Sequence, residues 1–89
     1  MNQVSMRIYG KVQGVFFRAS TQAKARELGL TGWVKNEADG SVSAVAQGED
    51  KAVQALVEWC HKGPQQAEVE RVEIEAHEPG DWTDFDILT

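Results

Sequence analysis

The sequence predicts an α+β domain in which an antiparallel sheet carries two helices on one face. Three observations lead to this fold class. Several segments alternate apolar and polar residues, two segments between them have helical character, and glycine or proline marks the breaks. A chain of 89 residues can build one hydrophobic core but not two, so we expect a single domain over residues 1–89.

The first half of the chain is predicted to form a strand, a helix and a second strand. Apolar residues or glycine occupy every second position from 4 to 12, the period of a half-buried strand, before Gly14 interrupts the pattern. Residues 17–28 favour a helix by composition, and Gly29 followed by an apolar residue is typical of a helix C-terminus. The second strand is predicted over residues 30–36.

The chain continues with a hairpin and a second helix. Asp39-Gly40 is a signal for a tight turn, and Val42, Ala44 and Ala46 then have the spacing of a third strand. A helix follows, with acidic residues at its start and a Gly-Pro pair after its end. Its single apolar face consists of Val53, Leu56, Val57 and Cys60.

Two further strands complete the predicted fold. Val72, Ile74 and Ala76 alternate with charged residues and are expected to face the core, and Phe85 and Ile87 indicate a short last strand. The resulting order is the split-βαβ, ferredoxin-like arrangement: a four-stranded antiparallel sheet plus a short C-terminal strand, with two helices on one face. In this arrangement the first two strands run in the same direction. The loop after the first strand and the end of the second therefore share one edge of the sheet.

The formal net charge of −5 is distributed unevenly along the chain. Residues 1–36 contain six basic residues and one acidic residue, whereas residues 37–89 contain three basic and thirteen acidic residues. Because a nucleic-acid backbone selects basic surfaces, the acidic balance argues against nucleic acid as a partner. A small anion, in contrast, would be attracted to the first half of the chain.

Cys60 is the only cysteine, so the chain has no internal disulfide, which is typical of a small domain in the reducing cytoplasm. Its place on the apolar helix face predicts a buried core thiol rather than a phosphatase nucleophile. Residues 1–7 lack the pattern of a signal peptide, and no apolar run approaches the roughly 18 residues of a membrane span. We therefore expect a cytoplasmic protein without a membrane partner, and a monomer by default.

The segment that joins the first strand to the first helix has the features of an anion-binding turn. Backbone N–H groups at a helix N-terminus can surround an anion, and Gly14 permits the close approach that this requires. Arg18 adds a guanidinium group that can bind two phosphate oxygens. The segment with these features extends from Gly10 to Arg18. The pattern alone also fits a structural turn beside a solvated arginine.

Asn36 lies where the second strand is predicted to end, at the same edge of the sheet as this loop. Its neutral amide can both donate a hydrogen bond to one water molecule and accept one from it. Asparagine is also common near hairpin turns, so the position alone fits a structural role equally well.

Two long motifs resemble those of the acylphosphatase family. Residues 10–18, GKVQGVFFR, resemble the family signature GxVQGVxFR, and residues 28–42, LGLTGWVKNEADGSV, resemble its second motif, LGLxGWVxN…DGxV. The order of the motifs, their separation and the chain length all fit. The resemblance implies a hydrolase that cleaves the carboxyl–phosphate bond of acyl phosphates and releases a carboxylate and inorganic phosphate.

The resemblance also implies roles for individual residues. Arg18 matches the arginine that binds the substrate phosphate, and Asn36 matches the asparagine that positions the attacking water. The loop whose backbone amides hold the phosphoryl oxygens in the family corresponds to Val12, Gln13, Gly14, Val15, Phe16 and Phe17. The leaving carboxylate, whose conjugate acid has a pKa of about 4, departs at neutral pH without a general acid. Positioning and charge stabilisation are then sufficient, so we expect neither a metal nor a cofactor.

Two other functions start from the same residues. A non-catalytic anion-binding module would need the loop and Arg18 but not Asn36. An RNA-binding sheet of this topology would use exposed aromatic residues such as Tyr9, Phe16 and Phe17. The acidic later strands oppose RNA binding, and no segment resembles the RNP1 motif of RNA-binding domains.

Metal sites are disfavoured by spacing. His61 and His77 lie sixteen residues apart and have no second pair of ligands nearby, which argues against zinc. The carboxylates between residues 68 and 86 alternate with apolar residues and lack an EF-hand pattern, so a solvated sheet face is expected rather than a calcium site.

Overall fold

The computed structural model describes residues 2–88 and has the predicted order of elements. The strands are β1 (Asn2–Lys11), β2 (Thr31–Asn36), β3 (Val42–Gly48), β4 (Glu68–Ala76) and β5 (Phe85–Ile87). The helices are α1 (Phe17–Glu27) and α2 (Asp50–Lys62). The first helix ends and the second strand begins one residue inside the predicted bounds.

The strands form one sheet in the order β4-β1-β3-β2-β5. The pairs β1–β3, β1–β4 and β2–β3 are antiparallel, and the short β5 is parallel to β2. Since β1 and β2 are both antiparallel to β3, they run in the same direction. This topology confirms the predicted fold class, and it brings the loop after β1 and the last residue of β2 to the same end of the sheet.

The hydrophobic core lies between one face of the sheet and the two helices. On β1, the alternate residues Val4, Met6 and Ile8 are buried. The buried helix residues are Phe17, Thr21 and Ala25 of α1 and Val53, Leu56 and Cys60 of α2. The two helices meet at Phe17 and Trp59, whose ring centroids are 5.6 Å apart. Packing of this apolar face explains why α1 begins at a fixed place beside the loop that follows β1.

Gly32 allows β2 and β3 to lie side by side without distortion. Its φ of 139° is unfavourable for residues with a side chain, and an added Cβ would collide with the carbonyl oxygen of Val45. A glycine at this position therefore keeps β2, which ends at Asn36, in register with the centre of the sheet.

The predicted inward face of the fourth strand is partly wrong. β4 begins at Glu68, earlier than the alternation indicates. Its register with β1 shifts where Tyr9 pairs with Arg71 and Gly10 with Val69, so that one extra residue lies on β4 between these pairs. Val69 and Val72 pack against the core, but Ile74 is 43% exposed and Ala76 is exposed as well. As an edge strand, β4 has a neighbour on one side only, so its last residues contribute little to the core.

Neither described helix is long and apolar enough to cross a membrane.

Candidate active site

The loop between β1 and α1 is anchored by buried side chains and turns at two residues with positive φ. Val12, Val15 and Phe17 are buried, whereas Gly14 and Phe16 are exposed and have φ values of 75° and 64°. In the described part of the chain, no backbone N–H of residues 13–17 donates a hydrogen bond to another protein group. The loop therefore offers a series of backbone donors at the start of α1.

Arg18 is the second residue of α1 and is half-buried beside this loop. It lines a cavity of about 350 Å³ together with Val12, Gly14, Phe16, Phe17, Ala19 and Ile87. Arg7, Arg26 and Arg71 each form an ion pair with a carboxylate, whereas Arg18 forms none within residues 2–88. A guanidinium group that has no carboxylate partner in the described part of the chain and lies next to unused backbone donors is suited to bind a small oxyanion.

The side chain of Gln13 links the loop to the hairpin between β2 and β3. Its Nε2 donates hydrogen bonds to the carbonyl oxygen of Glu37 at 2.8 Å and to that of Ser41 at 2.9 Å. Because Glu37 directly follows Asn36, these bonds hold the loop within one residue of the end of β2. From the sequence, only a backbone role is expected for Gln13. The sequence feature that could have indicated this contact is an amide side chain with two N–H donors in a loop at the same end of the sheet as a hairpin.

Polar contacts also fix the hairpin itself. The N–H of Glu37 donates to the carbonyl of Ser41 at 2.8 Å, and Arg7 Nε donates to Ser41 Oγ at 2.9 Å. Ser41 Oγ in turn donates to Asp39 at 2.6 Å, and Ser43 Oγ donates to Glu37. The hydrogen bonds from Ser41 and Ser43 hold the pKa values of Asp39 and Glu37 below their usual values. Both carboxylates are therefore ionised at neutral pH and retain these partners.

Asn36 is the last residue of β2, where it pairs with Val42 of β3 and is half-buried. The topology brings Asn36 to the end of the sheet at which the loop after β1 lies, as predicted. The hydrogen bond from Gln13 to Glu37 connects this end of β2 with the loop. Asn36 is not one of the residues that line the cavity beside Arg18. Loop and arginine thus share one cavity, and the asparagine lies on the hairpin that is tied to that loop.

The other residues that could carry chemistry have structural surroundings. Cys60 is fully buried, as predicted, and burial raises the pKa of its thiol to about 12, so it is protonated at neutral pH. His61 and His77 are exposed, and their Nδ1 atoms lie 2.9 Å and 2.7 Å from backbone carbonyl oxygens. Among residues 2–88, no three His, Cys, Asp or Glu side chains are grouped so that they could hold a metal ion.

Comparison with known proteins gives consistent matches over this fold and site. A family model described as Acylphosphatase matches residues 4–87. An acylphosphatase from Marinobacter nauticus is 52% identical over 86 residues, which cover 96% of this chain and 94% of that protein. The solved structure of an acylphosphatase from Coxiella burnetii has a TM-score of 0.93 at 46% identity and covers 97% of this chain and 90% of its own. The crystal structure of acylphosphatase from Bacillus subtilis has a TM-score of 0.95 at 33% identity, with 100% of both chains covered.

Proposed function

The chain belongs to the acylphosphatase family, and from this membership we propose that the loop of residues 12–17, Arg18 and Asn36 carry out its reaction. The protein is a hydrolase that converts acyl phosphates to a carboxylate and inorganic phosphate. The observation that carries the assignment of the site is the cavity in which Arg18, without a carboxylate partner in the described chain, adjoins backbone donors that are not used within the fold.

The phosphoryl group binds between the loop and Arg18. Backbone N–H groups of residues 13–17 donate hydrogen bonds to the phosphoryl oxygens, and the guanidinium group of Arg18 neutralises part of their charge. These donors are fixed by the fold before substrate binds, because Val12, Val15 and Phe17 anchor the loop in the core. Preorganised donors of this kind stabilise the charge on the equatorial oxygens in the transition state.

Asn36 positions the water molecule that attacks phosphorus. Its amide accepts a hydrogen bond from this water and orients the oxygen for in-line attack. The bond between the water oxygen and phosphorus forms while the bond between phosphorus and the acyl oxygen breaks. The electron pair of the broken bond leaves with the carboxylate, and a proton from the water passes to a phosphoryl oxygen.

The reaction needs no metal ion in this scheme. The leaving carboxylate is a weak base, so its departure requires neither a Lewis acid nor a general acid. The charge that a metal would neutralise is compensated by Arg18 and the backbone donors.

We propose in addition that the protein acts as a cytoplasmic monomer with one domain over residues 1–89 and without a nucleic-acid or membrane partner. The single buried Cys60 supports the cytoplasmic location, and the net charge of −5 argues against a nucleic-acid partner.

A hydrolysis assay with excess EDTA tests the proposed function. We expect the purified protein to hydrolyse benzoyl phosphate at the same rate with and without EDTA, and inorganic phosphate to inhibit competitively because it binds to the same loop and arginine. Loss of activity in EDTA that is restored by a divalent cation would contradict metal independence. Inhibition that is not competitive would contradict the assignment of the phosphate site.

We expect Gln13→Ala to lower kcat by between roughly tenfold and a hundredfold, because the loop then moves relative to the hairpin that carries Asn36. The substitution also removes two hydrogen bonds to backbone carbonyls and should reduce the free energy of unfolding by about 1–3 kcal/mol. Steady-state kinetics and urea denaturation measure the two effects separately.

Gln47→Ala is a matched control for this variant. The side chain of Gln47 also makes two hydrogen bonds to backbone groups, both at Gly80, but it lies toward the other end of β3. We expect a similar loss of stability with an unchanged kcat. If both variants lower kcat equally, the effect of Gln13 arises from general destabilisation and not from the connection between loop and hairpin.

A further inference from the structure

The cavity beside Arg18 has an apolar side in addition to its phosphate-binding side. Four large apolar side chains are exposed in the described part of the chain, and two of them, Phe16 and Ile87, line this cavity. Phe16 is 73% exposed and Ile87 is 39% exposed. A volume of about 350 Å³ exceeds what a phosphoryl group alone requires and lies at the lower end of the range for small-molecule sites.

Phe16 occupies a position that is unfavourable for an aromatic residue. It is the residue before α1, has φ 64° and ψ 21° in the left-handed region, and its side chain caps no helix N–H. Glycine and asparagine adopt this conformation more readily, and asparagine is also a preferred residue before a helix. The backbone strain costs free energy and the exposed ring gains little from folding, so the side chain is more readily explained by contact with a ligand than by the fold.

Ile87 forms a fixed wall of the same cavity. It belongs to β5, where it pairs with Val34 of β2, and the next residue, Leu88, donates its N–H to the carbonyl of Val34 at 2.9 Å. On the helix side, Gln22 Nε2 donates to the carbonyl of Phe85 at 2.9 Å. The last strand is therefore held from both sides, and Ile87 keeps a constant position relative to Arg18.

We propose that Phe16 and Ile87 form the subsite for the acyl group of the substrate and favour aromatic or bulky apolar acyl groups over acetyl. This proposal rests on the proposed function, because the phosphoryl group at Arg18 and the loop determines where the rest of the substrate lies. The acyl carbon is joined to the phosphoryl group through one oxygen, so the group beyond it stays within the same cavity. A methyl group would contact little of this apolar surface, whereas a phenyl ring can contact both side chains.

The test compares kcat/KM for benzoyl phosphate with kcat/KM for acetyl phosphate in the wild type, Ile87→Thr and Phe16→Asn. We expect the benzoyl-to-acetyl ratio to fall about fourfold in Ile87→Thr, the effect of about one buried CH₂ group. The ratio should fall about tenfold in Phe16→Asn, because an aromatic contact is lost. Phe16→Asn should also leave the thermal midpoint unchanged or raise it, since asparagine suits the left-handed conformation. If Phe16 had only a structural role, Phe16→Asn would lower the thermal midpoint.

Ile74→Thr is the matched control, because Ile74 is an isoleucine of similar exposure on β4 that does not line the cavity. Its benzoyl-to-acetyl ratio should equal that of the wild type. If both substrates are hydrolysed and the ratio is unchanged in Ile87→Thr and Phe16→Asn, the acyl subsite is refuted while the proposed function stands. If Phe16→Asn changes only the mass measured by sedimentation, Phe16 contacts a second copy of the chain instead, which also refutes the subsite. Failure of the wild type to hydrolyse either substrate would overturn the proposed function itself.

Discussion

Arg18→Ala lowers kcat/KM for benzoyl phosphate by about three orders of magnitude, if the guanidinium group stabilises the phosphoryl group in the transition state as proposed. Arg18 has no carboxylate partner among residues 2–88, so its removal breaks no ion pair within this part of the chain. The free energy of unfolding should therefore change little. The competitive inhibition constant of inorganic phosphate should rise as well, because the same group contacts the product.

Two further variants separate a specific contact from a general effect of charge. Arg18→Lys keeps the positive charge but loses the planar fork that binds two oxygens, so we expect activity between those of Arg18→Ala and the wild type. Lys24→Ala removes one positive charge from the same helix, where Lys24 pairs with Glu27 at 3.8 Å, and should retain wild-type kinetics. Equal rates for Arg18→Ala and the wild type would rule out the proposed role of this residue.

Asn36→Ala lowers kcat by about a hundredfold and leaves the inhibition constant of inorganic phosphate nearly unchanged. The amide is proposed to orient the attacking water and not to bind the phosphoryl group, so its loss affects positioning in the chemical step. Inhibition by inorganic phosphate, measured together with kcat, distinguishes a role in positioning the water from a role in binding the phosphoryl group. A large loss of phosphate affinity with retained turnover would show that the roles of Arg18 and Asn36 have to be exchanged.

Lys35→Ala is the control for changes at the end of β2. The ammonium group of Lys35 lies over the ring of Trp33 and pairs with Glu37. All three residues line a groove that shares no lining residue with the cavity beside Arg18. We expect Lys35→Ala to retain kcat.

If Asn36→Ala supports normal function in cells despite a low kcat, a non-catalytic anion-binding module becomes the better description of the protein.

The relative placement of loop and asparagine could be predicted from the sequence because it depends on topology. Alternating residues identified the strands, and their order then required β1 and β2 to run in the same direction. The tie made by Gln13 could not be predicted in the same way. Its partners, Glu37 and Ser41, are 24 and 28 residues away, and no local pattern specifies which carbonyl a long side chain reaches.

Alternation also failed to predict burial on β4, for a different physical reason. The period of two indicates which residues share a face, but it does not indicate how far the neighbouring layer extends over that face. Ile74 is therefore exposed although its spacing from Val72 matches that of a core residue. Similarly, nothing local in the sequence indicates that Phe16 adopts a left-handed backbone conformation, because an aromatic residue is not favoured there.

The position of β4 at the edge of the sheet has a consequence for how the protein avoids aggregation. An edge strand offers unpaired backbone groups on which a strand of another molecule could be added. On β4 the exposed glutamates are Glu68, Glu70, Glu73 and Glu75. A second β4 strand paired along this edge would bring like charges together, which disfavours intermolecular sheet extension. The opposite edge is formed by β5, which has three residues and offers little backbone for such pairing.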